Sequence, residues 1–404
     1  HPYYDFKGVS LFDLLDMIPV IGTGVRCTGA IIVPDSEEMS RQCALNAAFD
    51  AATFATGGFD LPAVEAAKVA AKAAEKVAAR EAAEAAEKIR SLSPHPDGRV
   101  FLGCSGSEAI DTVIKFARLV QQRRGESDRQ IIVRRASGYH GVNIGGTSVQ
   151  GIEGNRVGWG DLLPHVIEIP NDDIEPAARL FAEHGDKIAA VISEPVQGAG
   201  GVIPPPDGYL DGLRRLCTDN GALLIFDEVI SGFGRTGEWF AAQTYKVTPD
   251  LITFAKGVTS GYLPLSGVII SRELADELEN DDYGKLMHGY TYSGHPTAAA
   301  AALANIGVIE SGGLLQEAHR IGEKMEAGLK ALAGDGMIKS YRGIGGIWAC
   351  ELGWSGLEAS HAMVDKGVVC RGIGEALAFC PPLIITDSEI GTIFDRLDEV
   401  LREH

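Results

Sequence analysis

The amino-acid sequence predicts a two-domain α/β protein whose larger domain is built on a mostly parallel β-sheet. Short β-branched runs alternate with helical stretches from residue 100 to about residue 271, and this order is typical of parallel strands covered on both faces by helices. The chain has 404 residues, 45% of them hydrophobic, which exceeds what one domain usually needs. The residues after about 310 mix short strands and helices in the manner of a separate α+β unit.

The elements follow one another in a regular order. The apolar runs of the first region are RVFLGC, QIIVRR, HVIEI, KIAAVIS, ALLIFDEV, DLITFA and PLSGVIIS, and helical stretches follow the first and the fourth, namely SEAIDTVIKFARLVQQRR and the helix from Gly208. Helices at about 294–310 and 314–333 come next, followed by RGIGGIWACEL, a helix near 355–366, GVVCRG and a last helix from about 387. We expect a large domain at 61–310 and a small α+β domain at 311–404, with 1–60 as an N-terminal segment of the small domain.

Residues 61–92 contain little besides Ala, Glu, Lys, Arg and Val, and they predict one long helix. Glu84 and Lys88 are spaced for an i,i+4 ion pair on this helix. SPHPDG at 93–98 then ends it. Such low complexity is typical of a scaffold helix, so we assign it no catalytic role.

Charge and cysteine usage exclude several classes of function. The formal net charge of −19 repels phosphate backbones and anionic lipid surfaces, so we expect neither a nucleic-acid partner nor a membrane partner. No run approaches the roughly 18 to 20 apolar residues of a membrane span, and the first residues lack the pattern of a signal peptide. The seven cysteines are scattered without a C-x-x-C pair, so we expect a cytoplasmic protein without a metal site.

Three ionisable residues follow three successive apolar strands. IAAVIS leads to Glu194, ALLIF to Asp227 and LITFA to Lys256. In open α/β sheets ligands bind outside the carboxyl ends of the strands, where these side chains would meet. A single acid in such a place is usually a helix cap or a solvated charge, but three in succession favour a site.

Lys256 and Asp227 suit one particular cofactor. Desolvation disfavours the ammonium form of a lysine at an apolar sheet edge, so its amine becomes nucleophilic enough to form a Schiff base. An aspartate on the neighbouring strand could keep the pyridine nitrogen of pyridoxal phosphate protonated, which makes the ring a better electron sink. The alternative is a structural Asp–Lys ion pair that needs no cofactor.

Two loops could complete such a site. GCSGSEA lies where a strand passes into a helix, so Gly106 and Ser107 could bind phosphate through backbone amides and a hydroxyl. Ser105 and Glu108 also fit an ordinary capping box. SGYHGVN places Tyr139 and His140 on another loop after a strand, where an aromatic face could stack on a ring or simply pack on the surface.

Taken together, these segments resemble the class III aminotransferases of the pyridoxal-phosphate fold-type I superfamily, and within it the branch that acts on omega-amino acids and on amines with pyruvate. The resemblance covers about residues 99–403. It depends on seven motifs in a fixed order, which are FLGCSGSEA, GYHG, SEPVQGAGGVIPPPDGYL, LLIFDEVISGFGRTG, PDLITFAKG, HGYTYSGHP and FCPPLIIT. It implies a seven-stranded, mostly parallel sheet sandwiched by helices, together with the smaller α+β domain.

The resemblance also implies roles for individual residues. Lys256 would carry the cofactor and Asp227 would face the pyridine nitrogen, with Val229 and Tyr139 on the two ring faces. The remaining cofactor-binding residues would be His140, Glu194 near the substrate side, and Gly106 and Ser107 on the phosphate. Thr291 would reach the phosphate of a neighbouring subunit, which implies a homodimer with shared active sites, although by itself it is also an ordinary turn residue. Arg235 in GFGRTG resembles a structural arginine.

The C-terminal region separates the branches of the family. Ornithine and 4-aminobutyrate aminotransferases have an arginine where this chain has Ala378, immediately before Phe379. Arg371 instead occupies the place of a mobile arginine that binds a carboxylate substrate and swings aside for an apolar amine. A guanidinium suits this role because its planar fork binds a carboxylate through two hydrogen bonds. Residues 9–60 depart from the N-terminal pattern usual in the family.

These observations predict a transaminase that moves an amino group from an amine or omega-amino acid to a small 2-keto acid such as pyruvate, in a ping-pong cycle. Two alternatives remain open. An aminomutase or amino-acid epimerase of the same fold would use the same lysine and aspartate without consuming a keto acid. A binding or scaffold protein of the same fold would need no cofactor.

Overall fold

The fold of this chain comes from a computed structural model, which describes residues 79–280, 282 and 285–404. The N-terminal segment 1–60 and the first part of the long helix expected at 61–92 lie outside the described residues. Within them, the first element is helix α1 at 79–92, which ends just before the SPHPDG segment.

The large domain contains a seven-stranded sheet in the order β1-β7-β6-β5-β4-β2-β3. Strand β7 pairs antiparallel with both β1 and β6, and the other neighbours in this sheet pair parallel. This confirms the mostly parallel sheet predicted from the alternating pattern. Its strands are β1 (Arg99–Gly103), β2 (Ile131–Arg135), β3 (Val166–Ile169), β4 (Ile188–Ser193), β5 (Leu223–Asp227), β6 (Leu251–Phe254) and β7 (Ser266–Ile270).

Helices cover both faces of this sheet because its strands carry apolar residues at consecutive positions. On β5, Leu224 and Phe226 belong to one buried cluster, whereas Leu223 and Ile225 belong to the cluster on the opposite face. The helices of this domain are α2 (Gly106–Arg123), α3 (Ile144–Val149), α4 (Glu175–His184), α5 (Tyr209–Asn220), α6 (Ala241–Thr244), α7 (Arg272–Glu279) and α8 (Pro296–Ser311), with short 3₁₀ turns at Glu153–Asn155, Gly185–Lys187 and Lys256–Thr259.

The order of the strands brings the segments that carry the predicted site to one edge of the sheet. Strands β2, β4, β5 and β6 run parallel, so their carboxyl ends meet at the same edge. Strand β1 points in the same direction, because it and β6 are both antiparallel to β7. The N-terminus of α2 therefore opens at the edge where Asp227 and Lys256 lie.

The small domain has its own four-stranded antiparallel sheet in the order β10-β11-β9-β8. Buried residues of α9, such as Ile321 and Met325, pack in the core of this domain, whereas Ile306 and Ile309 of α8 pack in the core of the large domain. The elements of the small domain are α9 (Leu314–Gly334), β8 (Ser340–Ile344), β9 (Ile347–Glu351), α10 (Gly356–Asp365), β10 (Arg371–Ile373), β11 (Ala376–Phe379) and α11 (Asp387–Glu403).

The prediction of an ion pair between Glu84 and Lys88 on α1 is wrong. Glu84 pairs with Arg80 one turn earlier at 2.6 Å, and Lys88 pairs with Glu310 of α8 at 2.6 Å. Tertiary packing explains the difference, because α8 lies against α1 and brings the carboxylate of Glu310 to Lys88.

By length and composition, none of the helices in the described ranges could cross a membrane alone. Helices α8 and α9 pass such a test only when they are taken together, and they are bent by 64° at the break between them.

We predict that Gly267→Ala in β7 lowers the free energy of unfolding by about 1 to 3 kcal/mol, because an added methyl group would overlap the backbone oxygen of Phe101 and the ring of Phe254. Gly307→Ala on α8 is the matched control, since nothing lies within 4 Å of its added methyl group. Urea denaturation should show no loss for this variant, or a gain of up to about 1 kcal/mol from helix propensity. Equal losses in the two variants would contradict the packing described for β7.

Candidate active site

A cleft opens at the carboxyl edge of the large sheet, with about 530 Å³ of empty space, part of it open to solvent. Eight of the residues predicted for the site line it. The lining consists of Gly106, Ser107, Ile110, Tyr139, His140, Gly141, Glu194, Asp227, Val229, Ile230, Ala255 and Lys256.

Asp227 ends β5, and three donors fix its carboxylate. The Thr253 hydroxyl donates to Oδ1 at 3.0 Å, and the backbone N–H of Val229 donates to the same oxygen at 3.1 Å. The imidazole Nδ1 of His140 lies 2.7 Å from Oδ2. Only 4% of Asp227 is exposed, so these bonds hold the carboxylate at the cleft wall in one orientation.

His140 reaches Asp227 from the loop that follows β2. A carboxylate can only accept hydrogen bonds, so the proton of this contact belongs on Nδ1 of His140. The ring is buried, and within the described chain its Nε2 has no hydrogen-bond partner. His140 therefore acts on the site by orienting the carboxylate of Asp227.

Lys256 begins the 3₁₀ turn directly after β6, with a backbone φ of +40°. This left-handed conformation is uncommon for a residue with a Cβ atom, and such backbone strain clusters at functional sites. Part of the residue is exposed to solvent in the open cleft, but the protein around the amine still removes water from it. Burial lowers the pKa of the amine, Arg371 lowers it further, and Asp227 and Glu194 oppose the change.

The simple ion pair considered as an alternative for Lys256 is not the arrangement found. Asp227 bonds to His140, and among the described residues no ion pair joins it to Lys256. The amine is thus left available within the cleft, facing carboxylates that it does not contact directly.

Glu194, which follows β4, holds two loops of the cleft by their backbones. Tyr139 N–H donates to its Oε1 at 2.7 Å, and Gly198 N–H donates to its Oε2 at 2.9 Å. Burial raises the pKa of its carboxyl to about 7, and the charge of Asp227 adds to the rise, while His140 and the two amides oppose it. Glu194 thus holds the Tyr139 loop and the segment of Gly198 at the cleft.

The N-terminus of α2 forms the other end of the cleft. A methyl group at Gly106 would come within 3.1 Å of the Val229 side chain, so a larger residue here would have to displace Val229 slightly. Gly141 has a φ of +90°, and a side chain there would overlap Ser107. The Ser107 hydroxyl accepts a hydrogen bond from Val142 N–H at 3.1 Å. The first backbone N–H groups of a helix have no partner within it, so this end of the cleft is a suitable place for an anion.

The capping of α2 differs in one detail from the box expected for Ser105 and Glu108. Ser105 is the N-cap and accepts a hydrogen bond from Glu108 N–H at 3.2 Å, as predicted. The Glu108 carboxylate, however, accepts from Cys104 N–H at 2.7 Å, one residue before the cap. Capping and cofactor binding are compatible, because the cap uses Ser105 and leaves Gly106 and Ser107 facing the cleft.

Three further predicted residues lie outside the cleft lining. Arg371 begins β10 and is exposed, but its charge acts on Lys256. Thr291 is exposed in the turn at 291–294 and is absent from the lining of the cleft. Arg235 is a structural residue, as expected, because it donates to Gly346 O at 2.9 Å and to Pro381 O at 2.6 Å, which ties the large domain to the small one.

The sequence analysis missed Thr253, which donates to Asp227, and Gly198, which donates to Glu194. Thr253 lies beside Asp227 in the register of β5 and β6. Its position three residues before Lys256 was visible in the sequence, but its contact depends on strand pairing. Gly198 contributes only a backbone N–H, which leaves no mark in a sequence.

Comparison with known proteins identifies the family. The family model described as aminotransferase class-III matches residues 55–401. The chain belongs to the class III aminotransferases. The beta-alanine–pyruvate aminotransferase of Pseudomonas aeruginosa is 37% identical over 345 residues, which are 78% of this chain and 77% of that protein. The omega-amino acid–pyruvate aminotransferase of Pseudomonas putida is 35% identical over 348 residues, which are 79% of this chain and 78% of that protein.

Solved structures of similar enzymes share the fold of this aminotransferase. The omega transaminase of Pseudomonas jessenii in complex with PMP is 33% identical, with a TM-score of 0.75 over 80% of this chain and 79% of that one. The PMP-bound aminotransferase of Vibrio fluvialis is also 33% identical, with a TM-score of 0.76 over 80% and 79% of the two chains. The fold predicted from sequence is therefore confirmed, as is the branch of the family.

Class III aminotransferases use pyridoxal phosphate, and the cleft of this aminotransferase fits that cofactor. The carboxylate of Asp227 is fixed at the cleft wall, where it would accept a hydrogen bond from the protonated pyridine nitrogen of the cofactor. The amine of Lys256 is free for an aldehyde, and the helix start at Gly106 and Ser107 offers amides to a phosphate. Val229 and Tyr139 line the space between these groups.

The titration of Glu194 gives a test of the buried site in the cofactor-free aminotransferase. Its folded pKa of about 7 exceeds the ordinary value of 4.5, so its contribution to stability is fully present below about pH 4.5 and is lost as the pH rises through about 7. We predict that the free energy of unfolding falls between about pH 5 and pH 8 more steeply in the wild type than in Glu194→Gln. Urea denaturation across this range measures both slopes, and equal slopes would contradict the burial described for Glu194.

Proposed function

We propose that this aminotransferase transfers an amino group from an amine or omega-amino acid to a small 2-keto acid such as pyruvate. The observation that carries the proposal is the free Lys256 amine in the same cleft as the fixed Asp227 carboxylate, beside a backbone anion site. Similarity to enzymes named for beta-alanine, omega-amino acids and pyruvate supports the substrate classes.

The residues that would hold pyridoxal phosphate follow from the cleft. Asp227 would accept the hydrogen bond of the ring nitrogen, Val229 and Tyr139 would contact the two ring faces, and Gly106 and Ser107 would bind the phosphate. When bound, the cofactor withdraws electrons from the bond that breaks at the donor carbon and stores the amino group between the two half-reactions.

Lys256 supplies the base. Burial in the cleft lowers the pKa of its amine, so more of it is neutral near physiological pH than for an ordinary lysine. A neutral Nζ can take a proton from the donor carbon and return it elsewhere, as a general base and then a general acid. Asp227 and Glu194 stabilise the ammonium that forms, because their charges raise the pKa of the amine. Within the described residues neither carboxylate forms an ion pair with Nζ.

Arg371 supplies the carboxylate site. It lies exposed at the start of β10, and its charge acts on Lys256, so a carboxylate bound to its guanidinium would lie beside the reacting amine. Ala378 faces Arg371 in the pairing of β10 with β11, where other branches of the family have an arginine. Arg371 is thus the cation proposed to bind the keto acid.

We further propose that the aminotransferase works as a homodimer in the cytoplasm. Large apolar side chains that are mostly exposed lie near the cleft and the turn at 291–294, among them Val142, Met287 and Tyr292. A second copy covering them would bring its Thr291 to this cleft. The described cysteines are all free, which is compatible with a reducing compartment.

Replacement of the lysine tests the mechanism. We predict that Lys256→Ala lowers the rate of transamination by about 100-fold to 10,000-fold, because the general base and acid is lost. Borohydride reduction of the wild type should leave a pyridoxyl group on Lys256, found by mass spectrometry of the digest. Lys330→Ala, at an exposed position of α9, is the control and should keep full activity.

Full transamination by Lys256→Ala would refute this mechanism. Isomerisation of a single substrate by the wild type, without consumption of a keto acid, would instead favour an aminomutase or epimerase. Failure to bind pyridoxal phosphate at all would favour a binding or scaffold protein.

Replacement of the arginine tests the substrate class. We predict that Arg371→Ala lowers kcat/KM for pyruvate and omega-amino acids by about 10-fold to 100-fold, since hydrogen bonds to a charged group are lost. Apolar amines should lose much less. Arg402→Ala, at an exposed position near the end of α11, is the control. Equal losses on carboxylated and apolar donors would contradict a carboxylate site at Arg371.

A further inference from the structure

The segment 285–295 has no regular secondary structure before the turn at 291–294, yet one of its side chains is held by an aromatic box. The imidazole of His288 stacks on Phe101 with ring centroids 5.2 Å apart and planes at 21°. The rings of Phe116 and Tyr290 meet it edge-on, at 5.5 Å and 5.2 Å. Three aromatic contacts fix the plane of the imidazole.

Polar contacts fix the protonation of the same ring. Lys115 Nζ lies 2.9 Å from Nδ1 of His288, and Thr112 Oγ1 lies 2.8 Å from Nε2. An ammonium group can only donate, so Nδ1 accepts and Nε2 carries the proton. Burial and the charge of Lys115 lower the pKa of His288 to about 4, which keeps the ring neutral at physiological pH.

The hydrogen bonds continue in one direction towards the start of α2. Tyr290 donates its hydroxyl proton to Glu108 O at 2.9 Å, so it must accept from Thr112 Oγ1 at 3.1 Å. The series of hydrogen bonds therefore runs from Lys115 through His288, Thr112 and Tyr290 to the first turn of the helix. No hydroxyl in it is left to rotate freely.

This series of hydrogen bonds fixes the backbone on one side of Thr291. On the other side, Cys104 Sγ contacts Tyr292 O at 3.5 Å. Ser293 closes the turn, with its N–H donating to Tyr290 O at 3.1 Å and its hydroxyl accepting from Tyr290 N–H at 3.2 Å. Thr291 itself is exposed between Tyr290, whose hydroxyl is bonded to α2, and Tyr292, whose carbonyl oxygen contacts Cys104. The fold thus presents one hydroxyl outwards on a segment fastened to the helix of its own phosphate site.

We propose that His288 is a positioning residue that acts in trans: it locks the 288–293 segment on α2 so that Thr291 meets the cofactor phosphate bound by a second copy of the chain. This inference rests on the proposed function, namely on the homodimer with pyridoxal phosphate in its clefts. Loss of His288 would open a gap between Phe101, Phe116 and Tyr290, remove the proton donor to Thr112 and free the turn. The affinity for cofactor would then fall in the neighbouring subunit.

Mixed dimers separate this role from an effect on the subunit's own cleft. Lys256→Ala removes the lysine of the cleft that borohydride would link to the cofactor, so each mixed dimer with one such chain has a single cleft in which Lys256 can be labelled. In the trans dimer, one chain carries Lys256→Ala and His288→Ala and the other is wild type. In the cis dimer, one chain carries Lys256→Ala and the other carries His288→Ala.

The readout is the pyridoxal phosphate concentration at which half of the Lys256 peptide carries a pyridoxyl group after borohydride treatment. We expect this concentration to rise about tenfold or more in the trans dimer, because a hydrogen bond to a charged phosphate is impaired. The cis dimer should match the reference dimer of wild type and Lys256→Ala. His288→Gln, which keeps one acceptor and one donor, should restore part of the affinity, and it replaces His288→Ala if that chain does not assemble.

Impairment of the cis dimer alone, equal impairment of both, or no impairment of either would each overturn the proposal. Thr291→Ala in the same two arrangements distinguishes its failure from that of the proposed function. If Thr291→Ala acts in trans and His288→Ala does not, only the role of His288 is refuted. If Thr291→Ala has no effect in trans, both the shared site and the role of His288 are refuted.

Discussion

The site depends on a carboxylate that is buried at the end of a strand and yet fully supplied with donors. Asp227 is held by the Thr253 hydroxyl, the Val229 amide and the His140 imidazole, and the three donors come from different segments of the fold. A buried carboxylate without such partners would be costly, and it would turn away or take up a proton. With them, it stays at the wall of the cleft as an acceptor of fixed orientation.

The parallel sheet makes this arrangement possible. Strands β4, β5 and β6 lie side by side, so Glu194, Asp227 and Lys256 emerge at one edge although connections that contain the helices α5 and α6 separate them in sequence. Burial raises the pKa of Glu194, and the charge of Asp227 raises it further. Burial lowers the pKa of Lys256, and both carboxyl groups oppose that change. Both oxygens of Glu194 accept from backbone amides and Asp227 bonds to His140, so within the described residues neither carboxylate is paired with the amine. An amine without such a partner can accept and return a proton, as a general base and acid must.

Much of the fold and the centre of the site could be predicted from the sequence, because both follow from local patterns. Apolar strands that lead to Glu194, Asp227 and Lys256 are visible as short runs, and the passage from strand to helix at Gly106 and Ser107 is visible in GCSGSEA. The contacts made by the backbone or across the fold could not be predicted. The pairing of Lys88 with Glu310 replaced the expected partner on the same helix, because α8 lies beside α1. The amide of Gly198 and the hydroxyl of Thr253 reach the carboxylates only through tertiary pairing. Likewise, HGYTYSGHP suggested a role for Thr291, but only the fold shows that His288 and Tyr290 fasten this segment to α2.

The most direct test of the account is the protonation state of the ring nitrogen. The aminotransferase is reconstituted with pyridoxal phosphate carrying ¹⁵N in the ring, and the nitrogen chemical shift is recorded for the wild type and for Asp227→Asn at neutral pH. We expect the shift of a protonated pyridine in the wild type and that of an unprotonated pyridine in Asp227→Asn, since an amide cannot stabilise the pyridinium charge. An unprotonated ring in the wild type, or the same shift in both proteins, would contradict the role given to Asp227.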